Sequence, residues 1–321
     1  MGIISKDLAK GSTKYRIAQF LDYLSDRGLR FEFIRRDKVH KKIAFVKKYD
    51  LVFNQKCLIA PRISRKIFRL YPKVVFDFDD AIYTRPGNPF SLITRIKVRR
   101  RLHYWLRYSK LVMAPNEVLS NYARRYSSVV QTVPMALDLG VWTPARQKRS
   151  DIFTIGWAGA PVNIPLIERI DSVLEEITSK FSNVRVAIFS GRRPNLRIPF
   201  DYHPFQPGEE PKFIQSLDVG LLPLSNEEYT RGKSPIKSLQ YFACGIPVVG
   251  NFYGASKEIL TPDNSFNVNS HKEWVEALNC LISNPDLSEK MGMSGRTIVE
   301  TRHDFNRIAP KILDLLTKLN D

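Results

Sequence analysis

Two lysines stand beside a predicted helix start in the second half of the chain. Ser234 suits the N-cap of that helix, Pro235 its first position and Gly245 its stop. Lys233 and Lys237 place two cations next to the positive end of the helix dipole, an arrangement that favours an anion such as a phosphate. A solvated charged turn is the alternative. Arg231 is a third, weaker candidate for binding the same anion.

Two glycines follow the first apolar run of this half, in FTIGWAGAP. Gly156 and Gly159 are predicted to lie in a turn from strand to helix. Glycine there allows a phosphate to approach the backbone and its N–H groups. An ordinary tight turn is the alternative.

Polar residues also end the apolar runs of the first half. Asp77, Asp79 and Asp80 close KVVFDFDD, and Asn116 follows LVMAP. Ligands of open α/β sheets collect outside the carboxyl ends of the strands, so these side chains are candidates for substrate binding. A short Asp motif can also hold Mn²⁺ or Mg²⁺, but hydrogen bonding to a hydroxylated substrate is the preferred interpretation here.

The elements that must carry these residues alternate between short buried strands and amphipathic helices, the pattern of parallel sheets with crossover helices. A polar, proline-containing linker at 143–150 divides the chain. We therefore predict an N-terminal Rossmann-like domain at 1–146 and a second at 147–302. A last amphipathic helix is predicted at 303–321.

The charge divides at the same place. Residues 1–150 hold 32 Lys and Arg against 11 Asp and Glu, which gives a net charge of +21. Residues 151–321 have a net charge of −3, so the whole chain carries +18. Such a field attracts polyanions: nucleic acid, anionic lipid or phosphorylated substrates. The basic, aromatic segment LITRIKVRRRLHYWLRY at 92–108 and lysines 41, 42, 47 and 48 suit a membrane interface, with a core-packed helix as the alternative.

The start MGIISKDLAK lacks the apolar core of a signal peptide, and no stretch approaches a membrane span. Three scattered cysteines suggest neither disulfides nor zinc, and the five histidines lack metal spacing. We therefore expect a cytoplasmic protein without a metal or other cofactor, and the basic segment suggests peripheral binding at the inner face of the cell membrane.

Four stretches together resemble the donor-binding domain of the GT-B glycosyltransferases, in particular the retaining group called family 4. They are FTIGWAGAPVNIPLIE, LDVGLLPL, RGKSPIKSLQYFACGIPVVG and YGASKEIL. The first half is similar to the acceptor-side domain through STKYRIAQFLDYLSDRG, VVFDFDDAIY and APNEVLSNYA.

This resemblance implies two Rossmann-like domains facing across a cleft, with the C-terminal helix at 303–321 packing back on the first domain. It also implies metal-independent sugar transfer from a donor such as UDP- or GDP-sugar to a glycan or lipid-linked acceptor, as in cell-envelope polysaccharide synthesis. Donor-binding candidates are then Gly156, Gly159, Arg231, Lys233, Lys237, Gln240, which would bind a ribose hydroxyl, and Glu258.

On the acceptor side the candidates are Asp77 and Asn116. Asp79 and Asp80 are candidates for catalysis. With retention, the departing phosphate often accepts the acceptor's proton, so the resemblance requires no protein base.

The sequence departs from the family at two places. Many members carry two glutamates with seven residues between them, where this chain has Gly232 and Gln240, and a basic pair where it has Trp157, Ala158 and Pro161. A non-catalytic relative that binds nucleotide sugars therefore stays open. A basic nucleic-acid-binding protein is the other alternative, which explains the charge but not the C-terminal pattern.

Overall fold

The computed structural model describes residues 1–8, 11–43, 47–144 and 151–319. The described chain forms two compact units. Unit 1 comprises Met1–Ala136, Glu227–Ser234 and Phe305–Asp321, and unit 2 comprises Leu137–Asn226 and Pro235–Asp304. The division thus falls at Ala136, ahead of the expected linker, of which residues 145–150 lie outside the described part.

Among the described residues each unit has six strands, all of them paired in parallel. The strands are β1 Gly2–Ser5, β2 Glu32–Arg35, β3 Val52–Gln55, β4 Val74–Asp77, β5 Leu111–Ala114, β6 Val130–Thr132, β7 Phe153–Gly159, β8 Val184–Ser190, β9 Asp201–Pro204, β10 Val219–Leu222, β11 Val248–Gly250 and β12 Ser265–Asn267.

Helices connect the strands. They are α1 Gly11–Arg16, α2 Leu21–Ser25, α3 Val39–Lys42, α4 Pro61–Leu70, α5 Leu92–Tyr108, α6 Glu117–Arg124, α7 Ile164–Glu168, α8 Asp171–Lys180, α9 Glu210–Ile214, α10 Glu228–Gly232, α11 Ile236–Ala243, α12 His271–Ser283, α13 Pro285–Arg302 and α14 Phe305–Thr317. Short 3₁₀ turns occur at Ala18–Phe20, Arg36–Lys38, Pro161–Asn163 and Gly254–Glu258.

The sheet of unit 1 has the strand order β2-β1-β3-β4-β5-β6. Its central strands are apolar on both faces because helices cover both sides, as in other parallel sheets. Helix α14 completes one of these layers. Its Ile308, Ile312 and Leu316 are buried in one apolar cluster with residues of the first strands, and Phe305 stacks on Phe20 with ring centroids 5.1 Å apart.

The sheet of unit 2 has the order β12-β11-β10-β7-β8-β9. Counted within this unit, that is the 3-2-1-4-5-6 order of the doubly wound nucleotide-binding fold. Sequence patterning found the long buried strands of this unit, but it missed β9 and β12, two short strands at the edges of the sheet. The polar sequence of β9, DYHP, carries no apolar signal because the strand is largely exposed.

Two local predictions need correction. The helical spacing of Ile17, Phe20, Leu21 and Leu24 predicts a single helix at 15–27. This helix is interrupted at Ile17, where φ is −146°, and continues as a 3₁₀ turn and α2. Ser234 does not cap α11: Pro235 holds the N-cap position, and the Ser234 hydroxyl donates to the carbonyl of Asp79 at 3.0 Å. Gly245, at φ +73°, does follow the helix end in the left-handed conformation that glycine tolerates.

Candidate functional site

The strand order of unit 1 reverses between β1 and β3, and polar side chains meet at that point. The hydroxyl oxygens of Ser5 and Thr13 lie 2.8 Å apart, and Thr13 donates to the side-chain oxygen of Gln55 at 3.2 Å. Gln55 in turn donates to Asp79 at 3.1 Å. Because crevices at such reversals hold the ligands of open α/β sheets, this chain of buried hydrogen bonds marks the candidate site of unit 1.

Lys56 is the centre of the charges there. Its ammonium group lies 2.8 Å from Asp79 and 2.6 Å from Asp80, and its backbone has the left-handed φ of +42°, which is uncommon outside glycine. Burial lowers the pKa of Lys56, but the two carboxylates outweigh it and hold that pKa above its ordinary value. The sequence prediction overlooked this lysine, although it directly follows the polar end of β3.

Asp79 and Asp80 differ in exposure. The Asp79 side chain is 4% exposed, and burial, together with the neighbouring charge of Asp80, raises its pKa to about 6 against the opposing effect of Lys56. The Asp80 side chain is 20% exposed. Of the two catalytic candidates, Asp80 is therefore the carboxylate that a substrate reaches more readily.

Asp77 lies in the protein interior and not on the acceptor-binding surface that the sequence predicts. Its carboxylate is fully buried and accepts hydrogen bonds from Arg16 Nε at 3.0 Å and from Nη2 at 2.5 Å. Arg16 also donates to the carbonyl of Val133 at 2.5 Å. A metal ion bound by DFDD is likewise disfavoured, because cationic side chains already occupy its three carboxylates. The described residues contain no group of three or more His, Cys, Asp or Glu suited to a metal.

The segment Glu227–Ser234 lies against these carboxylates within unit 1. The backbone at Gly232 passes so close to Ala81 that a Cβ on residue 232 would lie 2.9 Å from the Ala81 Cβ. Burial, followed by the nearby charge of Asp80, raises the pKa of Tyr229. Tyr229 thus joins the site without any signal in the sequence, and the same segment carries Arg231 and Lys233.

Asn116 is buried and hydrogen-bonded within the protein, unlike the acceptor-facing side chain that the sequence predicts. It is 2% exposed. Its side-chain oxygen accepts from the backbone N–H of Leu119 and so caps α6, and its amide donates to the carbonyl of Gly232 at 3.4 Å. The role of Asn116 is to hold the segment Glu227–Ser234 beside the helix start.

In unit 2 the strand order reverses between β7 and β10, and α11 packs beside that point. The Tyr241 hydroxyl on α11 accepts from the backbone N–H of Ala158 on β7 at 3.0 Å. Lys237 in the first turn is half-buried, and its ammonium is ion-paired with Glu210. The charge at this helix start is therefore balanced by a carboxylate, which sequence reasoning overlooked in the motif GEEP.

Glu210 also fixes Gln240, whose side-chain amide donates to its second oxygen at 3.0 Å. Gln240 is 1% exposed. Its expected hydrogen bond to a ribose hydroxyl is therefore not available in this arrangement, because its side chain is enclosed between α9 and α11.

Gly156 and Gly159 lie within β7 and not in the turn that follows it. A Cβ on Gly156 would lie 2.2 Å from the side chain of Leu217, and one on Gly159 would lie 2.2 Å from the ring of Trp157. Close packing thus explains both glycines, and the turn that follows β7 lies at 160–163. Glu258 is the exposed last residue of the 3₁₀ turn Gly254–Glu258, on a different loop of unit 2.

The structure therefore brings Asp79, Asp80 and the segment of Lys233 together in unit 1, and Lys237 and Gln240 together in unit 2. The two lysines belong to different units, Lys233 to unit 1 and Lys237 to unit 2.

Residues 171–314 match the family model described as glycosyl transferase-like. This segment belongs to that family. It contains α11, Lys237 and Glu210, and it ends within α14. The resemblance to GT-B glycosyltransferases is thereby confirmed, as is the assignment of the chain to the glycosyltransferase class of enzymes. No curated protein matches the sequence.

Solved glycosyltransferase structures share the fold of the whole chain. The Anabaena protein HepE, solved with UDP and glucose, is 14% identical, with a TM-score of 0.72 and 98% of each chain covered. Sucrose-phosphate synthase from Thermosynechococcus elongatus is 15% identical, with a TM-score of 0.76 and coverage of 99% of this chain and 98% of the other. A Rickettsia africae glycosyltransferase is 12% identical, with a TM-score of 0.72 and coverage of 99% and 97%. This likeness confirms the predicted α/β fold with two Rossmann-like units.

Proposed function

We propose that this glycosyltransferase moves a sugar from a nucleotide-sugar donor to a glycan or lipid-linked acceptor, with retention of configuration and without a metal. The observation that carries the proposal is the place of the family-matched segment. It supplies α11 beside the strand reversal of a doubly wound sheet, where such folds bind nucleotides. The complex of HepE with UDP and glucose is consistent with a UDP-sugar as donor.

On the donor side, Lys237 is the group that we assign to the diphosphate. A leaving diphosphate gains negative charge as the glycosidic bond breaks, and a cation in the first turn of a helix stabilises that charge together with the helix dipole. Because Lys237 is already paired with Glu210, donor binding must exchange or share that partner. We keep Lys233, Arg231 and Glu258 as further donor contacts.

On the acceptor side, we assign Asp80 to the acceptor hydroxyls, because it is the more exposed carboxylate of the buried cluster. Lys56 and Asp79 fix its position from behind. With retention of configuration, the departing phosphate accepts the proton of the acceptor hydroxyl, so Asp80 orients that hydroxyl without having to remove its proton.

The donor assignment is tested by calorimetry with UDP and GDP. Replacing Lys237 with Ala removes one charge-assisted hydrogen bond to a phosphate, and we expect affinity to fall by about tenfold. Lys233→Ala is expected to act in the same direction. Lys272→Ala is the matched control, since the Lys272 side chain is 84% exposed on α12, and it should bind like the native protein.

Unchanged affinity in both Lys233→Ala and Lys237→Ala would remove the diphosphate assignment. Release of UDP or GDP from nucleotide sugars separates an enzyme from a relative that only binds them. Salt-sensitive DNA binding with no response to either nucleotide would instead support the nucleic-acid alternative.

We also propose that the enzyme works at the inner face of the cell membrane in cell-envelope polysaccharide synthesis. The charge of the first 150 residues supports this location. Within the described residues, no helix combines the length and apolar character needed to cross a bilayer.

A further inference from the structure

The outer face of α5 combines aliphatic, aromatic and basic side chains. Seven residues share one side of the helix, because each lies three or four positions from another member of the set. They are Ile93, Ile96, Lys97, Arg100, Tyr104, Arg107 and Tyr108. Leu102, Trp105 and Leu106 occupy the opposite face and are buried in unit 1. These seven residues therefore form the solvent side of a helix that is anchored by its other face.

The first two turns of this helix expose unusually large apolar groups. Ile93 is 79% exposed, Leu92 is 62% exposed and Ile96 is 49% exposed. Single exposed apolar residues are common, but three within five positions form a contiguous patch, and such patches mark interaction surfaces.

Helix α4 extends the basic part of this surface. Its Phe68 packs edge-on against Tyr104 of α5, with ring centroids 5.6 Å apart, and contacts Tyr108 at 6.0 Å. Helices α4 and α5 together hold ten Lys and Arg and no Asp or Glu. Eight of these cations are exposed: Arg62, Arg65, Lys66, Arg69, Arg95, Lys97, Arg100 and Arg107. Arg99, which is not among them, pairs with Glu228 at 3.8 Å.

We propose that the α4–α5 face docks on an anionic lipid bilayer. In this arrangement Leu92, Ile93 and Ile96 enter the boundary between head groups and acyl chains, while the surrounding cations contact lipid phosphates. The aliphatic patch favours lipid over nucleic acid, because phosphate binding gives no reason to expose isoleucine. This inference deepens the proposed membrane location by naming its surface, and it does not depend on the donor chemistry.

Flotation tests the proposal with two kinds of vesicle, phosphatidylcholine alone and phosphatidylcholine mixed with phosphatidylglycerol. The native protein should float with the anionic vesicles only. Replacing Lys97, Arg100 and Arg107 together with Gln should weaken that binding on the order of a hundredfold, from the ordinary contribution of each surface cation. Replacing Lys180, Lys290 and Arg302 with Gln, three exposed cations of unit 2, is the control and should have little effect.

The apolar part is tested separately with Ile93→Ser/Ile96→Ser, which keeps every charge. We expect at least a tenfold loss of binding to anionic vesicles. An environment-sensitive dye on Ile93→Cys should shift to the blue with these vesicles and not with DNA. Lack of vesicle binding by the native protein, or tight DNA binding that the Ile variant leaves unchanged, would overturn the proposal. Nucleotide binding by all variants should stay native, so a failure here is distinct from a failure of the donor assignment.

Discussion

The buried ion pair between Arg16 and Asp77 can be tested directly. It gives Asp77 a structural role, whereas the sequence predicts that Asp77 contacts the acceptor. The perturbation is Asp77→Asn, which preserves the shape of the side chain and removes its charge. Arg16 is 1% exposed, so bulk solvent cannot replace the lost carboxylate. Removing one partner of a buried ion pair typically costs about 3–5 kcal/mol, and we expect Asp77→Asn to reduce the free energy of unfolding by that amount.

The double variant Arg16→Met/Asp77→Asn separates this explanation from general damage. It leaves no unpaired buried charge, so it should be more stable than Asp77→Asn alone. The Arg35–Asp37 pair is the matched control, at 3.1 Å but with side chains 61% and 60% exposed. Because water replaces a lost partner there, Asp37→Asn should leave the unfolding transition unchanged.

The assay is urea unfolding followed by circular dichroism, with acceptor kinetics measured on the folded fraction. If Asp77→Asn unfolds like the native protein and instead raises the acceptor KM, the carboxylate faces substrate and our structural interpretation is wrong. A double variant less stable than Asp77→Asn would contradict the argument from unpaired charge.

Three further tests address the site and its packing. Gly156→Ala should lower the free energy of unfolding of unit 2 by about 1–3 kcal/mol, because the new methyl group clashes with Leu217. Adding Leu217→Ala should restore part of that stability. If Gly156 instead binds phosphate, Gly156→Ala should weaken UDP binding and Leu217→Ala should not restore it. Because Asp79 titrates near pH 6 when folded, above its unfolded value, folding stability should decrease as pH rises through the interval between the two values. Asp80→Asn removes a neighbouring negative charge, so it should lower the pKa of Asp79 and narrow that interval. The pKa of Asp79 can be measured by NMR of its carboxyl carbon, and an unchanged pKa in Asp80→Asn would contradict this prediction. Lys56→Met removes the opposing cation and should raise the same pKa further, to be read from the same titration.

Much of the fold could be predicted from local pattern. The apolar runs at 111–114, 184–190 and 219–222 each predict a strand, because a strand buried on both faces is a largely apolar run. Strands β5, β8 and β10 have these bounds. The amphipathic period likewise predicted α14. Edge strands such as β9 escaped because their exposed side chains carry no apolar signal.

The sequence by itself determined the alternation of strands and helices, the excess positive charge of the first half and the family motifs, since each of these is a property of neighbouring residues. Only the tertiary structure determined which charged side chains form ion pairs with each other. Asp77 finds Arg16 across 61 positions, and Lys237 finds Glu210 across 27. Charges act through space and burial removes the water that would screen them, so partners set by folding, not spacing along the chain, determine the role of each carboxylate.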